Sequence, residues 1–481
     1  MQTLDNALRA AMAAHQAGRL EEADRLYHAA VRDNPDNAQA LRLRGILARE
    51  RGDLPASARL LARAAEVAPG AAAPLAELAL TRMAANDLDG ALRDLRAALA
   101  RDPAHGRSLA NLGALLQYRG HIAEAVRCHE QALALDSGDI EVRCNLAKAL
   151  SEAGRGTDAL ALCDAGLAAA PAHPLLLATR GAVCCDIEDF TAAVVALEGA
   201  IARSPDDDSA WVSLAYARTR RGENGTAIDA LGEALRVNPS SGRATADLVN
   251  LLAGSGRVDH ALDLAGGFLE QHPGERHVLA ALGFALRDAG DAQSADALID
   301  HDALVTVTAI GALAGLREQV LADPSLVASP ASKATRGGQQ TGELDLGRGL
   351  AREFAARIDA AVRAHPAMAQ PPPRWSLRAW ATVLTAGGRQ LPHIHPEAWV
   401  SGVYYVDVPA AMGPAEAGFL EFGAPPPRFL VRTSPPLRAV EPSVGRLLLF
   451  PSYFYHRTLP FAGAGERISI AFDVVPGGVV L

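Results

Sequence analysis

The chain has 481 residues, 49% hydrophobic and 21% charged, with a formal net charge of −9. That length exceeds one ordinary core, so two or more folded units are expected, and the composition is that of a globular protein rather than a disordered one. The negative balance, with no concentrated basic block, disfavours nonspecific nucleic-acid binding.

The first residues, "MQTLDNALRAAMAAHQAGRL", scatter their charges and contain no apolar h-region, so they do not read as a signal peptide. No stretch approaches the roughly 18 apolar residues of a membrane span. The five cysteines (Cys128, Cys144, Cys163, Cys184 and Cys185) show no CxxC or Cys/His spacing for zinc. They are expected to pack as small hydrophobes, the Cys184–Cys185 pair within a helix, in a reducing, cytoplasmic setting.

From the N-terminus to about residue 300 the chain repeats. Pro35, Pro69, Pro103, Pro171, Pro205, Pro239 and Pro273 fall on one lattice with a step of 34 residues, with Ser137 filling the gap. Ala91, Ala125, Ala159, Ala193, Ala227, Ala261 and Ala295 form a second, and Ala11, Gly45, Ala79, Gly113, Ala147, Gly181, Ala215 and Gly283 a third. Small residues at a fixed step mark close helix crossings, and proline marks where one helix ends and the next begins. Each helical hairpin then buries its apolar face only against its neighbours. One unit reads "GRSLANLGALLQYRGHIAEAVRCHEQALALDSGD" (106–139). This resembles the tetratricopeptide repeat, with about eight good units from residue 4 to 275 and a degenerate ninth. The resemblance implies a groove that binds a peptide or protein partner. A spacer or an oligomerisation surface is the alternative.

After residue 300 the character changes. The stretch 321–345 is rich in Gly, Pro and small polar residues and reads as a loop-rich lead-in. Helical spacing returns at 346–364, where Leu350, Phe354, Ile358 and Val362 recur every four residues. "MAQPPPRW" ends that helix. From 375 to 481 the pattern is β: "WSLRAWATVL", "SGVYYVDVP", "GFLEF", "GRLLLFP" and "RISIAFDVVP" are short runs of β-branched and aromatic residues separated by Gly and Pro. Strands at this spacing form a sandwich or barrel.

"QLPHIHPEAWVSGVYYVDVP" (390–409) places His393 and His395 one residue apart, which in an extended chain puts both imidazoles on one side. His456 follows the apolar run "RLLLFP", and Arg467 opens the last run. Each alone has an ordinary explanation: an incidental surface pair, or a solvated strand-end arginine. Together, "HIH…SGVYYV…GRLLLFPSYFYH…ERISIAF" resembles the double-stranded β-helix (jelly-roll, cupin-like) fold of 2-oxoglutarate/Fe(II) dioxygenases over roughly 303–481. It is similar in particular to bacterial and phage members with an HxHP…SGVYY…H…R signature, and "TRGGQQTGEL" (335–344) is similar to their leader. The resemblance implies Fe(II) and 2-oxoglutarate, with His393 and His456 as metal ligands. It implies Arg467 on the distal carboxylate of 2-oxoglutarate, Tyr405 hydrogen-bonding that co-substrate and Ser469 assisting. It departs from the pattern at one place. Position 395, where Asp or Glu is expected, is His. Either His395 is the third ligand, or Glu397 supplies a carboxylate, or two imidazoles bind and water completes the set. "GAGERIS" lacks the Lys and following helix of a phosphate loop.

The expected protein therefore has two parts: an all-α tetratricopeptide solenoid at 1–300, and a double-stranded β-helix domain at 303–481. The expected reaction hydroxylates a side chain of a peptide or protein recruited by the repeats, with no nucleic acid and no membrane involved. The alternatives are a cupin-like metal enzyme that does not use 2-oxoglutarate, and an interaction scaffold whose oxygenase-like domain is inactive.

Overall fold

The computed structural model describes residues 2–329, 334–369, 371–372 and 374–477. Residues 330–333 of the loop-rich lead-in, and 370 and 373 of the proline run, lie outside the described residues.

From Gln2 to Leu298 the chain forms helical pairs that recur every 34 residues, the last closing with the short helix Ala292–Leu298. Their limits follow from local chemistry. Asp53, Asp87, Asp189 and Asp207 each accept a hydrogen bond from the backbone N–H three residues on, capping a helix N-terminus. The turn inside each pair needs a left-handed residue. Gly52, Gly120, Gly154, Gly222, Gly256 and Gly290 supply it, and Asn86 and Glu188 hold positive φ where glycine is missing. The small-residue lattice sits at the helix crossings. A Cβ on Gly45 or Gly181 would lie 2.6 or 2.5 Å from Leu61 or Leu197.

Two compact units result: residues 1–118 with 124–142, and residues 119–123 with 143–481. The second contains the later repeats and the C-terminal sheet. Ten strands build that sheet: β1 (Thr306–Ala309), β2 (Val327–Ala328), β3 (Thr335–Gln340), β4 (Trp375–His393), β5 (Val400–Asp407), β6 (Leu420–Phe422), β7 (Arg438–Val440), β8 (Arg446–Pro451), β9 (His456–Thr458) and β10 (Arg467–Pro476). Their order is β1-β8-β5-β10-β4-β9-β6-β7, with β3 on β4 and β2 on β3, and these strand pairs are antiparallel. The sheet curls in the manner of a jelly roll. Long β4 serves two sets of partners, β10 along 375–384 and β9 at 390–393.

The lead-in is less loop-like than its composition suggests. "TRGGQQ" is strand β3, because Gly337 and Gly338 let it lie close to β4. A Cβ on Gly338 would meet the Val383 carbonyl at 2.7 Å. The helix Gly349–Ala364 buries Phe354, Ile358 and Val362 against one face of the sheet, where Val383, Ile468, Ile470, Phe472 and Val474 meet them. The other face of β10 carries Arg467, Ser469 and Asp473. In a strand flanked on both sides, that alternation gives one apolar wall and one chemical wall.

Within the second unit, the segment between β6 and β7 lies on the repeat helices Gly242–Gly254 and Arg276–Asp288, and Tyr216 of helix Asp208–Arg220 lines one cavity with its Arg428 and Phe429. Phe429 packs on Phe284 and Tyr455, at ring distances of 5.9 and 5.5 Å. The Leu430 N–H donates to Asn250 Oδ1 (3.0 Å), and the Thr433 N–H donates to Asp288 (2.7 Å). Arg428 pairs with Asp247 at 3.5 Å.

Candidate metal centre

β4 ends at His393, directly opposite His456 at the start of β9. Two residues on, the backbone N–H of His395 donates to the Ser452 carbonyl (3.0 Å), which turns its ring toward the same place. The three imidazoles cluster, with ring centroids 4.3 Å (His393–His456), 5.1 Å (His395–His456) and 5.2 Å (His393–His395) apart. One nitrogen from each lies within 4.8 Å of the others. The Nδ1 atoms are already engaged: His393 with the Leu391 carbonyl (2.8 Å), His456 with the Phe454 carbonyl (3.0 Å), and His395 with Asp473 Oδ1 (2.6 Å). Nε2 is the atom each ring has left to offer a metal.

Burial pushes the His393 imidazole down to about 4, with His395 adding to the effect. Burial also holds His456 well below its ordinary value. Both rings are therefore neutral, with a lone pair available, at physiological pH. That donor set suits a first-row divalent metal.

Arg467 is 1% exposed. Its Nε donates to the Gly418 carbonyl (3.0 Å), while both terminal nitrogens lack a hydrogen-bond partner. The guanidinium carbon stands 4.9 Å over the ring of Tyr405, whose buried hydroxyl also has no partner. Burial draws the Arg467 pKa down and pushes the Tyr405 hydroxyl up, so the latter stays a donor. Thr382 Oγ1, buried and also unpartnered, is on β4 opposite Ser469, which in turn faces Tyr405 across β5. Such a set of unsatisfied donors is costly unless an anion takes it, and a planar guanidinium fork fits a carboxylate. Tyr405 shares an apolar cluster with Phe422 and Phe450, and the Phe450 ring is 4.7 Å from His456. One wall thus borders both the imidazoles and the arginine.

Of the residues expected from the sequence, His393, His395 and His456 come together, as do Arg467 and Tyr405, with Ser469 beside them. Glu397 does not join them. Its carboxylate is largely exposed and pairs with Arg378 at 3.0 Å. Two residues escaped the sequence reading: Asp473, bonded to His395, and Ser401, whose hydroxyl donates to the same Asp473 oxygen at 2.7 Å. A signal was present, since Asp473 is six residues from Arg467 on a period-two strand and so shares its face.

Residues 378–473 match the family described as "Putative 2OG-Fe(II) oxygenase". Tetratricopeptide-repeat families match residues 8–74, 116–182 and 186–242. Among curated proteins the chain is similar to Protein FlbA of Caulobacter vibrioides, 34% identical over 98 residues. That match spans 20% of this chain and only 16% of the relative's length. Among solved structures it is similar to a tetratricopeptide repeat protein from Parabacteroides merdae: 17% identical, TM-score 0.43, covering 50% of this chain and 94% of the other. It is also similar to YrrB, described as a TPR protein with an unusual peptide-binding site: 21% identical, TM-score 0.33, covering 38% and 95%. The N-terminal region of the chain thus carries tetratricopeptide repeats, and residues 378–473 of the sheet domain carry the match to the family described as "Putative 2OG-Fe(II) oxygenase".

Proposed function

We propose that the sheet domain is a 2-oxoglutarate- and Fe(II)-dependent dioxygenase that hydroxylates a side chain of a peptide or protein brought to it by the repeats. The observation that carries this reading is the pairing of two features on one wall: three clustered imidazoles with Nε2 to spare, and a buried Arg467 whose terminal nitrogens have no hydrogen-bond partner. His393, His395 and His456 would hold the metal. Arg467 and the Tyr405 hydroxyl would grip the distal carboxylate of 2-oxoglutarate, with Ser469 beside them. When bound, iron and 2-oxoglutarate supply oxidative decarboxylation coupled to hydroxylation of a C–H bond. The protein keeps the His393 and His456 imidazoles neutral by burial, orients the carboxylate, and excludes water with the Phe422, Phe450 and Phe454 wall. The tetratricopeptide array supports a peptide or protein as the substrate class. Five buried thiols accord with a reducing, cytoplasmic location.

The test uses anaerobic protein with Fe(II), the visible charge-transfer band on adding 2-oxoglutarate, and succinate release on admitting air. The parent is expected to show both. His456→Ala is expected to lose both, and Arg467→Ala to need at least about tenfold more 2-oxoglutarate, as loss of a charge-assisted bidentate contact implies. No band and no iron retention in the parent would overturn the reading.

A further inference from the structure

Three imidazoles leave a divalent centre about one charge more positive than two imidazoles and a carboxylate would. The structure contains a carboxylate that addresses this imbalance from one bond further out. Asp473 Oδ1 lies 2.6 Å from His395 Nδ1, and the side chains of the pair are 9% and 13% exposed. His395 occupies the position where the resemblance to 2-oxoglutarate/Fe(II) dioxygenases at large implies an acid. The other two rings give their Nδ1–H to neutral backbone carbonyls. Among the three, His395 is the ring bonded to an anion.

The placement of Asp473 is built rather than incidental. It lies on β10, with Ser401 opposite it on β5 and Arg378 opposite it on β4. The Ser401 hydroxyl donates to the oxygen that faces His395, holding the carboxylate's orientation. Trp380 covers His395 with ring centroids 5.4 Å apart, limiting the ring's rotation. A carboxylate accepting from Nδ1–H fixes the tautomer with Nε2 free and makes that nitrogen a stronger donor.

We propose that Asp473 is a positioning residue that supplies, through His395, the negative charge missing from the ligand set. This inference rests on the metal-site reading above. Its distinctive consequence is that charge, beyond shape, matters at position 473. Asp473→Asn keeps the size and a carbonyl acceptor but loses the charge.

The experiment is anaerobic titration with Co(II), read by its visible d–d bands, on the full chain and on Asp473→Asn, Asp473→Ala, Ser401→Ala and His456→Ala. Circular dichroism melts check that each variant is folded. The parent is expected to bind, and His456→Ala to fail. Asp473→Asn and Asp473→Ala are expected to bind about 10- to 100-fold more weakly, with shifted bands, and Ser401→Ala to lose less. A folded Asp473→Asn that binds Co(II) like the parent, with unchanged bands, overturns the inference and leaves the metal site standing. A parent that does not bind Co(II) overturns the metal site itself, and the inference with it.

Discussion

Arg467 shows how a single side chain can declare a ligand. Its burial is expensive, one nitrogen is satisfied by Gly418, and the two terminal nitrogens, on a guanidinium that lies over the Tyr405 ring, have no hydrogen-bond partner. The Tyr405 hydroxyl is in the same state. Tyr405→Phe should therefore keep the fold and raise the 2-oxoglutarate requirement about tenfold, the scale of one lost hydrogen bond to a charged group; titration of the charge-transfer band measures it. Arg467→Lys should do worse, because one ammonium cannot reproduce a planar fork. The histidines and this arginine were legible in the sequence because their spacing is tied to strand edges. Strand period puts Asp473 on the face of Arg467, but its bond to His395 was not legible, since that partner is 78 positions away and only strand register brings them together. The role of Glu397 was equally unreadable, as an exposed acid two residues from His395 looks the same whether it turns inward or pairs with Arg378.

At the scale of elements, the segment between β6 and β7 is the least expected feature. "GAPPPRFLVRTSPPL" (423–437) reads as a proline-rich connection, and nothing in it names the helices that receive it. Yet Asn250 and Asp288 hold its backbone, and Phe429 is 9% exposed. Gly254, the last residue of helix Gly242–Gly254, makes room for it. A Cβ there would lie 2.3 Å from Leu430 Cβ and 2.5 Å from its carbonyl oxygen. Gly254→Val should therefore lift this strap while leaving the repeat helix and the sheet formed. Limited trypsin digestion should then cut after Arg428 and Arg432 at least several-fold faster than in the parent. An unchanged rate would mean the strap is not held there. The strands were better signalled, because β5, β8 and β10 each carry an apolar run bounded by turn residues. β3 was read as loop because two glycines hide a strand whose pairing depends on their lack of side chains.

For the whole molecule, the repeat lattice was the most legible part, since identical positions meet identical neighbours in every unit. One departure makes a measurable prediction. Leu61, Leu95, Leu197 and Leu231 hold one lattice position beneath a helix crossing, and His129 takes it in between. His129 is buried beneath Gly113, with neither ring nitrogen hydrogen-bonded, and burial pushes its pKa down to about 4. The sign follows: between about 6.5 and 4 the unfolded chain binds a proton that the folded chain refuses, so stability is full above 6.5 and lost as pH falls through 4. The ceiling is about 3 kcal/mol. His129→Leu should stabilise the protein and flatten the melting temperature between pH 7 and 4.5. A steeper acid loss in the variant would reject the assignment. No helix among the described residues is long and apolar enough to cross a membrane.

The strap also limits how the gene can be divided. Ending the repeats at residue 300 looks natural from their periodicity, but a fragment beginning at 303 would carry Phe429 and Tyr455 without Phe284 and Ala280 against them. It would also carry an Arg428 stripped of Asp247. Such a fragment should be sticky and poorly expressed, whereas one that begins at Asp208 keeps the receiving helices. Recombination that swaps sheet domains between arrays would have to move the last three repeats as well, making them hereditary baggage of the sheet rather than interchangeable units.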